Sequence, residues 1–138
     1  MLRYSFSVAL LGAAISTAAA AQTISDRTRD TLTDLAIKCF PGSKERPADD
    51  LRGCEDAIER WRLLSSADRL PDADRLVEEI AVARREFYEA SNAILAKMNA
   101  SVGKKAAPEV DPAMLQKADA GQQRWRDDIV AIREILRR

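Results

Sequence analysis

From Asp72 to about Ala100 the apolar residues Leu76, Ile80, Ala83, Phe87, Ala90, Ile94 and Met98 recur at steps of four and three in almost unbroken alternation. A helix turns once every 3.6 residues, so this spacing gathers the side chains into one stripe that seeks a partner helix. Leu115, Ala118, Gln122, Trp125, Ile129, Ile132 and Leu136 continue the same logic near the end of the chain, with the Gln122 amide the one polar member. Two shorter stripes precede them, Leu32, Leu35, Ala36, Cys39 and Phe40, then Leu51, Cys54, Ile58, Trp61 and Ser65. No useful stretch alternates with the period of two that a half-buried strand requires. The fold class expected is all-α.

Local signals mark where each helix starts and stops. Ser25 is placed to cap the first helix, and Pro41-Gly42 stops it. Pro41 to Pro47 reads as a connecting loop, after which Asp49 and Asp50 put negative charge in the first turn of the second helix. Ser65-Ser66 and Leu70-Pro71 bracket a break, because a residue before proline is pushed away from helical angles. Gly103 to Pro112 is the second clear loop, and Asp111-Pro112 supplies an N-cap followed by proline at the first helical position. Arg133, Arg137 and Arg138 suit the negative end of the last helix dipole. The helices expected are about 26–40, 48–65, 72–100 and 112–137, within a single all-helical domain over 22–138.

Length then constrains packing. At 1.5 Å per residue the third and fourth helices run roughly 40 Å each and the first two about 25 Å, so the short pair cannot cover the long pair completely. The architecture expected is a small helical bundle with a long antiparallel helical hairpin and a shorter disulfide-stapled helical hairpin. The second helix should fold back along the first half of the third, beside the second half of the fourth. That would stack Cys54, Ile58 and Trp61 against Leu76, Ile80, Ala83 and Trp125. The far tip, from about Ser91 through the Gly103 loop to Ala118, would expose parts of Ile94, Leu95, Met98 and Leu115, and exposed apolar surface there points to a partner.

The first residues change the setting. Arg3, the apolar run Val8 to Ile15 and the small residues up to Ala21 form the pattern of a secretory signal peptide over 1–21, with cleavage expected between Ala21 and Gln22. The apolar run is shorter than the roughly 20 residues a spanning helix needs, so no stable membrane insertion is expected after cleavage. No Cys directly follows the small-residue stretch to accept a lipid. Export to the periplasm or beyond is the reading.

Composition narrows the chemistry. The 138 residues carry 22 Lys+Arg against 22 Asp+Glu, which gives no basic excess for neutralising phosphates, so no nucleic-acid partner is expected. There is no His. That removes Ser-His and Cys-His nucleophiles, the usual imidazole zinc site and Glu-x-x-His di-iron centres, so no catalytic, metal or cofactor-binding residue is assigned and no cofactor is expected.

Two cysteines are the one constellation with definite chemistry. Cys39 ends the first helix and Cys54 lies early in the second, so a reversal of the chain brings them together, and in an exported protein they should form a disulfide. A redox-active pair would normally be C-x-x-C at a helix N-terminus, which this is not. Glu55 with Glu59 and Glu78 with Glu79 read as a solvated charged face rather than paired carboxylates for acid–base work or a cation site, since there is no imidazole and no predicted pocket around them. Trp61 and Trp125 occupy stripe positions and read as packing residues, with ligand platform or interface anchor as the rival role. Gln122 beside Gly121 would fix helix register, line a polar pocket or sit half-exposed. Ser101 with Lys104 and Lys105 resembles a Ser-Lys pair in type only.

The early cysteine pair Cys39 and Cys54 and the late Gln122-Gln-Arg-Trp125 resemble the exported helical chains of the lysozyme-inhibitor LprI-like group. The chain departs from that pattern at Ile129, where the group has Arg, and in having no third Cys. The resemblance implies a periplasmic inhibitor or small-ligand-binding protein. Read from the residues themselves, the expectation is an exported protein-interaction or structural module, not a catalyst, working through an unknown protein partner or its own copy at the hairpin tip.

Overall fold

The computed structural model describes residues 23–41 and 49–138; the leader 1–21, its cleavage after Ala21 and the loop 42–47 lie outside the described residues, as do the side chains of Asp49, Asp50 and Leu51. The described residues form four helices: α1 (Asp26–Lys38), α2 (Asp49–Arg62), α3 (Pro71–Ala100) and α4 (Pro112–Arg137). Among the described residues there is no strand. The fold is an all-helical bundle carrying a disulfide between Cys39 and Cys54.

Caps fix the helix ends. The Ser25 hydroxyl accepts from the Thr28 amide at 3.2 Å, and the Thr28 hydroxyl donates to the Asp68 carbonyl at 2.5 Å, which ties the start of α1 to the α2–α3 connection. The Asp111 carboxylate accepts from the Ala113 amide at 2.9 Å, and Pro112 opens α4. Leu70 is extended ahead of Pro71, as the steric clash at X-Pro demands. Two helices end earlier than the stripes suggest. Cys39 is the C-cap of α1 and leaves Phe40 outside the helix, exposed beneath the guanidinium of Arg133 at 4.7 Å. α2 closes at Arg62 because the Leu64 amide turns to the Trp61 carbonyl, so Ser65 leaves the stripe and is exposed.

The core gathers Leu32 and Leu35 from α1, Ile58 and Trp61 from α2, Val77 and Ile80 from α3, and Trp125, Ile129 and Ile132 from α4. Its arrangement corrects one expectation. The closest backbone approaches join α3 to α4, α1 to α2 and α1 to α4, with a sparser contact between α2 and α3 and none between α2 and α4. The helix beside the second half of α4 is therefore α1: Arg29 donates to the Leu136 carbonyl at 2.8 Å and Arg133 to that of Ala36 at 3.4 Å. Side chains join α2 to α3, with Trp61 bonded to Asp74 and Arg62 to Glu78. The disulfide joins the end of α1 to the start of α2.

Contacts between α3 and α4 pair Ala83 and Phe87 with Gly121, and Glu86 with Arg124. Small residues line this seam outward from the core, since Ala83, Ala90, Ala118 and Gly121 are all buried.

Candidate interaction surface on the long helices

α3 has 30 residues and α4 has 26, against 13 in α1 and 14 in α2. At 1.5 Å per residue the long helices reach about 45 and 39 Å, and the short ones about 20 Å each. Arg84, on α3, meets Glu55 of α2 at 3.4 Å. Arg84 is buried there and lies over the Tyr88 ring at 5.5 Å, and burial pushes the Tyr88 hydroxyl above its ordinary pKa. Phe87, Tyr88 and Trp125 close this level with tilted and edge-on ring contacts, centroids 5.2 to 6.2 Å apart.

Beyond this level, among the described residues, burial along the two long helices thins. Past residue 84 the buried residues of α3 are reduced to Ala90, and ahead of Gly121 those of α4 to Ala118. Leu95 is 53% exposed, Met98 46%, Val102 79% and Leu115 47%, while Ile94 is half-buried. Of the four positions named from sequence, three stand open to solvent and Ile94 lies partly in the seam. Val102 was missed because it follows the end of α3, outside any stripe. Exposed lysines surround these residues at 97, 104, 105 and 117. Leu63, Ile37, Val82 and Val130 are exposed as well, but they are scattered over different helices and carry no comparable cluster.

The other candidate residues are drawn into packing and ion pairs. Cys39 and Cys54 are bonded to each other and buried. Arg62 grips Glu78 through two nitrogens at 2.9 and 2.8 Å and also reaches Glu59 at 2.6 Å, and this grip holds the Glu78 carboxyl below the usual carboxylate range. Glu79 is held by Arg75 at 2.8 Å, and Glu55 faces Arg84. Trp61 and Trp125 are buried, so neither forms an exposed platform, and Gln122 is half-buried. Ser101 donates its hydroxyl to the Lys97 carbonyl at 2.8 Å, closing α3. Among the described residues no group of three or more metal-ligating side chains is assembled, and no described helix is long and apolar enough to cross a membrane.

Comparison with known protein families, curated proteins and solved structures finds no match to the chain.

Proposed function

We propose that this is an exported helical protein that works by binding, through the uncovered end of α3 and α4, another protein or a second copy of itself, and that it is not a catalyst. The observation that carries this reading is the cluster of Leu95, Met98, Val102 and Leu115, exposed where the short helices no longer reach. In this reading α3 and α4 form one long antiparallel hairpin, which is supported by numbering that runs in opposite senses along the two helices: Ala83 lies against Gly121, and Glu79 lines one groove with Asp128. The hairpin presents its outer end as a rigid apolar platform, and rigidity lowers the ordering cost of association. Export through the leader 1–21, with cleavage between Ala21 and Gln22, agrees with a disulfide that an oxidising compartment would preserve.

Leu95→Glu with Met98→Glu tests the binding surface. The protein recovered from the cell envelope should run above monomer mass by light scattering or co-purify with one stoichiometric partner. The double variant should lose that association while keeping its helicity and melting temperature. A strictly monomeric, partner-free wild type overturns the reading. So does a double variant that melts lower but assembles unchanged, since the leucine and methionine would then serve only the hairpin's own packing.

A further inference from the structure

Asp128 stands half-buried on α4, in a groove whose described lining comes from α3 and α4. It faces Arg75, Glu78, Glu79, Val82 and Ala83 across the seam, with Arg124 beside it on α4. The cations of this groove are already engaged. Arg75 holds both oxygens of Glu79 at 2.8 Å, and Arg124 pairs with Glu86. Glu78 is held by Arg62, which approaches from α2, and the neighbouring Asp127 accepts from the Gln123 amide at 2.7 Å. Asp128 itself makes no hydrogen bond or ion pair among the described residues. A carboxylate without a partner thus lies partly out of water, opposite a glutamate.

From this geometry we infer that Asp128 is a proton-operated latch between α3 and α4: taking up a proton from solvent removes its repulsion toward Glu79 and tightens the pairing of the long helices, and losing it loosens them. Burial, reinforced by the negative charge of Glu79, pushes the Asp128 carboxyl up to about 6, against the opposing pull of Arg75. Because the folded protein holds this proton more firmly than the unfolded chain, the latch adds stability in full below the ordinary aspartate range. That stability is lost as pH rises toward and through about 6. The device rests on the groove and not on the surface at the hairpin tip, so it stands or falls independently of the binding reading.

Carboxyl NMR titration of the wild-type protein and thermal melts from pH 5 to 7.5 test the latch. The Asp128 carboxyl should titrate near pH 6, and in Glu79→Gln its midpoint should fall by about half a unit or more. Asp128→Asn should melt about 1–3 °C above wild type at pH 7.5. That gap should shrink by about half by pH 5, whereas Asp127→Asn should show no such pH-dependent gap. An Asp128 midpoint in the ordinary aspartate range, or a gap between Asp128→Asn and wild type that does not change with pH, overturns the proposal.

Discussion

Trp61 donates its indole N–H to the Asp74 carboxylate at 2.8 Å, whereas the indole N–H of Trp125 is buried with no acceptor. A buried donor left unsatisfied costs about 1–3 kcal/mol. The native fold already carries that cost at Trp125, and a phenylalanine there would relieve it while opening a small cavity. At Trp61 the same change opens a cavity and also leaves Asp74 with Arg69 alone, at 3.5 Å. Trp61→Phe is therefore expected to destabilise by about 1–2 kcal/mol more than Trp125→Phe in urea unfolding at pH 7, and equal costs would contradict this account. The stripe showed that both indoles face the core. It could not show that only one finds an acceptor, because Asp74 meets Trp61 through the turn that connects their helices, and the geometry of that turn is not contained in a periodicity.

Two helical glycines separate propensity from packing at the scale of the element. A Cβ built on Gly121 would lie 3.3 Å from the Ala83 carbonyl oxygen and 3.4 Å from the Phe87 amide nitrogen, both backbone atoms of α3. On Gly53 it would meet only the flexible Lys38 side chain, at 3.6 Å or more. Alanine gains about 1 kcal/mol over glycine in a helix interior. We expect Gly53→Ala to collect most of that gain. Gly121→Ala should instead lower stability despite its better propensity, because a neighbouring backbone cannot rotate aside, and chemical denaturation of the two variants would show opposite signs. Helix type and number were legible because each stripe is long and each boundary has a chemical marker: Ser25, Pro71, and Asp111 with Pro112. The ends at Lys38 and Arg62 were not, since Phe40 and Ser65 keep the spacing of the stripe after the backbone has already turned. Likewise Gly121 read as a neighbour of the Gln122 amide, and its use as the point of closest approach of two helices needed the partner's backbone to be visible.

For the molecule as a whole, the disulfide governs how the two short helices reach the long ones. Removing it by Cys39→Ala with Cys54→Ala frees a loop of 15 residues, which the chain-entropy treatment values at about 3 kcal/mol. The expected fall in melting temperature is roughly 10 °C or more; a fall of only a degree or two would show that α1 and α2 are held by their apolar contacts alone. The pairing of the cysteines was readable from their positions at facing helix ends, and the unequal reach of the short and long helices from the lengths of the stripes. Which short helix lies beside α4 was not readable, because a stripe states that a face is buried and leaves open against what. The answer, α1, has a topological consequence. Thr23 and Ile24 share a groove with Ile135 and Arg138, and Arg29 bonds to Leu136. Neighbour contacts among the four described helices thus close a ring, from α1 through α2, α3 and α4 back to α1, as beads on a bracelet do. A circularly permuted chain, joined across that groove and opened in the segment around Gly103, would visit the same neighbours in the same cyclic order.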